Sequence, residues 1–135
     1  MRSSQPKPAD RVIKGSLKFI VRNITRGVVL GDSVDLADSS EKRRTGLLKH
    51  TGLKPGEGLW IVPCESVHSF FMKFTIDVLY LDRQKKVRGM RPNMKPWRVS
   101  ACLPAHSVLE LPAGTIGRTG TQKGDQLELD KQTTE

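Results

Sequence analysis

The strongest constraint on this chain is its rhythm: apolar residues arrive in short runs, separated at close intervals by glycine, proline and aspartate. Leu17, Phe19 and Val21 alternate with Lys18, Ile20 and Arg22, the period-two pattern of a half-buried strand. Val28-Val29-Leu30 and Val34-Asp35-Leu36 continue as short strands around turns at Gly27 and Gly31-Asp32. Leu59–Val62, Phe70–Phe74, Ile76–Leu81, Val108–Leu111 and Gln126–Leu129 are further strand candidates. Lys54–Gly58 is a turn, and Asp82-Arg83-Gln84-Lys85 is a hairpin connection into Val87. One stretch reads as helix: Asp38 as N-cap, Glu41 three residues on, and a short helix over Ser39–His50. Gly46 within it costs about 1 kcal/mol relative to alanine, which predicts close backbone packing there. The expected fold is mainly β: a compact, single-domain, antiparallel β-barrel or sandwich with one short helix.

A length of 135 residues fits one core, and 36% hydrophobic with 27% charged residues excludes a disordered composition. The expected division is a flexible basic leader over 1–15, one domain over 16–131 and a short tail over 132–135. No run approaches the ~18 apolar residues of a membrane span. Met1–Gly15 has no apolar core of a secretory signal, so the expected location is the cytoplasm. Two cysteines are too few for a disulfide framework.

The net charge of +9 is unevenly placed. Residues 1–27 hold seven Lys/Arg against Asp10, and residues 83–98 hold seven with no acid; from Gly124 the chain turns acidic. A localised basic surface can attract nucleic acid or another anionic surface, but no groove-reading helix or aromatic ladder is evident beside it.

Four ordered segments resemble a known family. Arg44-Thr45-Gly46-Leu47-Leu48 with Pro55–Ile61 is similar to the R-x-G-L-M … G-x-G-M-L-F segment of DUF192 (UPF0127) proteins, small bacterial and archaeal proteins. Phe71–Asp82 resembles that family's W-M-K-N-T-x-x-P-L-D-I-L-F-I-D centre in slightly shortened form. Leu109–Gly114 matches L-E-L-P-A-G, and Gly124-Asp125 matches the closing G-D. Leu48 stands where methionine is usual, Trp60 takes an aromatic position, and Phe74 replaces a common asparagine. The resemblance marks Arg44, Gly46, Gly58, Met72, Gly114 and Asp125 as motif positions. It implies a compact, mainly antiparallel β fold and carries no defined activity.

The residues that could carry chemistry form three sets. His68, Asp77, Trp97, Arg98 and Glu110 are candidates for a polar ligand pocket. Asp77 and Glu110 each interrupt an apolar strand, so each must be paired, exposed or functional. Arg98 follows Trp97, where its guanidinium could be held and aimed at a carboxylate; the competing reading is a structural ion pair. Cys64-x-x-x-His68 and Cys102-x-x-x-His106 repeat one interval, and two thiolates with two imidazoles could hold zinc. The same groups could serve a cysteine nucleophile, but no flanking signature supports one, and no G-x-S-x-G elbow or phosphate-binding loop occurs. Phe70, Phe71, Met72, Phe74 and Trp60 either line an apolar pocket or, in alternation, fill the core.

The leading expectation is a small non-enzymatic domain that binds a ligand or partner through a polar pocket near Asp77, Arg98 and Glu110, with no catalytic residue and no cofactor. The alternatives are nucleic-acid or anionic-surface binding through residues 83–98, and a zinc protein or Cys/His-dependent enzyme.

Overall fold

The structure, a computed structural model, describes residues 18–132. The leader over 1–15 and residues 133–135 of the expected tail lie outside the described residues. Nine strands and two short helices follow in the order β1 (Lys18–Asn23), β2 (Val28–Ala37), α1 (Ser40–Thr45), β3 (Glu57–Ile61), β4 (Ser66–His68), β5 (Ile76–Leu81), β6 (Val87–Met94), β7 (Val99–Ala101), β8 (Ser107–Pro112), α2 (Thr115–Thr119) and β9 (Leu127–Lys131). Seven strands form one curled sheet in the order β6-β5-β8-β3-β2-β1-β9, while β4 and β7 pair as a separate ribbon. The curl brings the start of β6 against the start of β9, where Lys86 and Gln126 form a bridge and Val87 N–H donates to the Asp125 carbonyl.

Why the sheet curls and is covered follows from β5. All six of its residues are buried, so both of its faces need a core. Side chains alternate across a strand. Leu79 and Leu81 therefore join Val21, Leu30, Val34, Leu109, Leu111, Ile116 and Leu127 on the inner face, while Ile76, Val78 and Tyr80 join Leu47, Ile61, Met72, Met94 and Val108 on the outer face. The inner face closes on itself with α2 packed in; the outer face is covered by the segment after α1 and by the β4–β7 ribbon. Gly58 lets β3 lie against β8: a Cβ there would fall 2.7 Å from the Glu110 carbonyl oxygen and 2.9 Å from Leu111 Cδ2.

The fold is mainly β, as expected, with three differences in detail. The pair β2–β3 is parallel, and α1 lies in its crossover, since two parallel neighbours cannot be joined by a tight turn. The helix is shorter than Ser39–His50: Ser39 is the N-cap, accepting from Lys42 N–H at 3.1 Å in place of Asp38. Gly46 is its C-cap at φ 48°, with no close neighbour at its Cβ position, so left-handed backbone and not tight packing explains the glycine. Second, Val28–Ala37 is one strand, because Asp32 and Ser33 N–H both donate to the Gly56 carbonyl where a turn was expected. Third, Phe70–Phe74 is a turn, and α2 occupies a glycine-rich stretch with Gly114 (φ 94°) and Gly120 (φ 69°) at its ends.

Two buried carboxyls pin the ends of this framework. Asp77, wholly buried at the start of β5, accepts from Ile116 N–H of α2 and from Asn93 N–H of β6, each at 2.8 Å. Asp125 accepts from Asn23 Nδ2, from Gln122 N–H and from Arg26 Nε at 2.7 Å, joining the β1–β2 turn to the approach of β9. Burial alone would raise the Asp125 pKa, but these donors outweigh it and hold the carboxyl below its ordinary value. Asp77→Asn keeps the shape but turns an amide NH₂ toward one of the two backbone donors. It is expected to lower stability by about 2 kcal/mol in denaturant unfolding, with the site on the outer face unaffected.

Candidate functional site

The Leu109-Glu110-Leu111 alternation sends Glu110 to the outer face, opposite Asp77 on the neighbouring strand β5. There it forms the floor of a cleft of about 170 Å³. One wall is the end of α1 and its exit, Arg43 to Leu48. The other runs from Ile61 and Cys64 through Ser66–His68 to Met72. Gly46 turns the chain so that Leu47 enters the core beside the cleft, while Arg44 remains exposed at its rim. Arg43 is anchored by donating to the carbonyls of Asp38 and Val62, at 3.1 and 3.4 Å.

Glu110 is only 5% exposed and has no hydrogen-bond or ion-pair partner among the described residues. Burial pushes its pKa up to about 7. The groups around it are weakly polar. Cys64 Sγ donates to the Ser66 carbonyl at 3.0 Å, and burial raises its thiol pKa. The Tyr80 hydroxyl donates to Ser100 Oγ at 2.8 Å, and burial raises it as well. The cleft therefore offers one carboxyl that changes charge near neutral pH, apolar walls from Leu47, Leu48, Ile61, Val67 and Met72, and a cationic rim.

The proposed polar cluster is divided by the sheet. His68 and Glu110 share the cleft. Asp77 is on the other face with both oxygens occupied by backbone donors. Arg98 is exposed, and among the described residues its guanidinium reaches only the Pro96 and Trp97 carbonyls, at 3.3 and 3.5 Å. Trp97 lies outside the cleft, against Phe70 and Phe71. Among the described residues no three His, Cys, Asp or Glu side chains gather as metal ligands, so Cys64, His68, Cys102 and His106 are not drawn into one site. Cys64 does not bond His68, whose Nδ1 instead accepts from Phe70 N–H at 3.3 Å. Cys102 lies under the ribbon, where it would contact any Cβ at Gly89.

The aromatic run splits as well. Met72 and Phe74 pack on the outer core, Trp60 sits on the inner face edge-on to Phe19, and Phe70 and Phe71 are exposed. Sequence reasoning missed the contribution of Arg43 and Ser66 to the cleft. Only the i to i+1 adjacency of Arg43 to the motif residue Arg44 hinted at it. No helix among the described residues is long and apolar enough to cross a membrane.

The comparisons agree with this architecture. The family model DUF192 (Uncharacterized ACR) matches residues 21–129. A UPF0127 protein of Pyrococcus furiosus is 34% identical over 116 residues, covering 81% of this chain and 97% of its own length. One of Pyrococcus abyssi is 31% identical over 116 residues, covering 81% and 96%. Two crystal structures share the fold at 24% identity. One is a protein of unknown function from Novosphingobium aromaticivorans, with TM-score 0.71 over 91% of this chain and 93% of that one. The other comes from Sinorhizobium meliloti, was described as a candidate transcription regulator, and has TM-score 0.72 over 84% and 92%. With the family model covering most of the chain and all four quoted motifs placed on one sheet and its cover, the chain belongs to the DUF192 (UPF0127) family.

Proposed function

We propose that this protein is a small non-catalytic binding domain whose ligand sits in the cleft over Glu110. The observation that carries the reading is a buried carboxyl, open to a cleft, with no protein partner among the described residues. A carboxyl so placed is destabilising when ionised, and a ligand that donates to it supplies the missing partner. The chemistry that fits is a small molecule with an amine, or another strong donor, directed at Glu110. An anionic end would point toward Arg44 at the rim, with a short apolar body against Leu47 and Met72. A cleft of about 170 Å³ is smaller than the roughly 300–1,000 Å³ of drug-sized pockets, so it suits only a very small ligand and not a polymer.

The sign of the pH dependence follows from the raised pKa. The stability associated with neutral Glu110 is fully present below the unfolded value of 4.5 and is lost as pH rises through about 7. Glu110→Gln removes that dependence. Relative to the parent, the variant should gain about 3 kcal/mol between pH 4 and pH 8, measured by urea unfolding at both pH values.

Binding is tested by calorimetric titration of small primary amines and amino acids into the full chain at pH 6 and pH 8. Affinity for an amine is expected to rise with pH as Glu110 ionises, and Glu110→Gln is expected to weaken it more than about tenfold. Arg98→Ala, remote from the cleft, is expected to leave it unchanged. Equal binding by Glu110→Gln, or no amine bound by the parent protein, would sink the proposal.

A further inference from the structure

We infer that the loop tip carrying Phe70, Phe71, Trp97 and Val99 is a docking surface for anionic lipid bilayers. The tip is built from two chain segments, the turn between β4 and β5 and the one between β6 and β7, with Val99 at the start of β7 paired to His68. Phe71 is 69% exposed, Trp97 56% and Val99 63%, with Phe70 exposed beside them. Scattered exposed apolar residues are ordinary, but the aromatic rings here touch one another. His68 meets Phe70 at 4.9 Å between ring centroids, Phe70 stacks on Trp97 at 5.6 Å, and Phe71 meets Trp97 edge-on at 4.7 Å.

The backbone holds this arrangement at a conformational penalty. Phe71 (φ 68°) and Trp97 (φ 66°) are both left-handed, a region bulky residues rarely enter. Ser69, almost wholly buried, keeps them there. Its hydroxyl donates to the Lys95 carbonyl at 2.6 Å and accepts from Arg98 N–H at 2.9 Å. Its backbone exchanges hydrogen bonds with Trp97 N–H and the Arg98 carbonyl. Two loops with no core of their own are thus locked together so that their aromatic rings face outward.

Charge selects the occupant. Residues 66–76 and 89–101, which supply the tip and the strands that lead to it, contain no Asp or Glu, and they contribute Lys73, Arg91, Lys95 and Arg98. Lys73, Lys95 and Arg98 are exposed directly beside the rings. Aromatic and aliphatic side chains projecting from a basic rim combine the two forces of interfacial attachment: apolar burial among acyl chains and attraction to anionic headgroups. A single-stranded nucleic acid fits less well. The rings already occupy part of each other's surface, and Val99 offers a base nothing to stack on.

The test is cosedimentation of the full chain with vesicles of phosphatidylcholine alone or doped with phosphatidylserine, at low and high salt. Binding is expected only to the doped vesicles, weakening with salt. The pair Phe71→Gly and Trp97→Gly should reduce it more than about tenfold while the thermal midpoint holds, because glycine accepts the same left-handed backbone without strain. Lys73→Glu with Lys95→Glu, which leaves the rings in place, should reduce it by a similar factor. The inference is overturned by absence of binding to doped vesicles at low salt, by equal binding to undoped ones, or by retained binding in either double variant. Competition by a single-stranded oligonucleotide for the tip, or burial of the tip in a dimer seen by sedimentation, overturns it equally.

Discussion

The strand β5 must be buried on both faces, and most of the molecule is arranged to satisfy it. Six consecutive buried residues leave no side that can meet water, so the sheet needs one core inside its curl and a second on its back. The curl supplies the first, with α2 drawn in by the Ile116 N–H···O bond that Asp77 accepts, while its other oxygen takes Asn93 N–H of β6. The second has no sheet to complete it. It is covered by pieces: a one-and-a-half-turn helix and its exit, a two-stranded ribbon, and the turns between them. Covers assembled from short pieces meet imperfectly, and the cleft over Glu110 is where they meet.

The contrast between the two strand-embedded acids shows what burial alone leaves open. Asp77 and Glu110 lie on neighbouring paired strands, and each is nearly or wholly buried. Asp77 receives two backbone donors and acts as a fastener between strand and helix. Glu110 receives none among the described residues, and its charge becomes conditional on pH. A fold selected for stability alone has no use for the second arrangement, since a glutamine or leucine there would cost less.

Much of the β architecture is legible from the residues, because period-two runs and turn residues report locally on strand and bend. Ile76–Leu81, the Asp82 turn and Val108–Leu111 are plain in this way: Asp82 accepts from the N–H groups of Gln84 and Lys86, the local chemistry its position implies. What escapes is decided at a distance. Phe70–Phe74 looks like a strand by composition, but Ser69 spends its hydrogen bonds on residues 95–98 and forces a turn. The parallel pairing of β2 with β3 depends on a 19-residue crossover whose length is visible but whose destination is not. For the site, the sequence singles out His68 and Glu110 as polar residues in apolar company, and they do share a cleft. It cannot tell on which side of the sheet Asp77 falls relative to Glu110, since each strand's alternation is known only relative to itself.

The near-closure of the sheet bears on how the molecule behaves in a crowd. An open sheet presents unpaired backbone at both margins, a template on which copies can add strand to strand. Here one end of β6 is tied to the start of β9 through the Lys86–Gln126 bridge, and the remaining margins are guarded. Pro92 removes a donor from β6 beside Arg88 and Arg91, and β9 ends in exposed Glu128, Asp130 and Lys131. The large sheet is therefore protected against fibrillar growth at either margin, and any association this protein enters is steered to its side-chain surfaces.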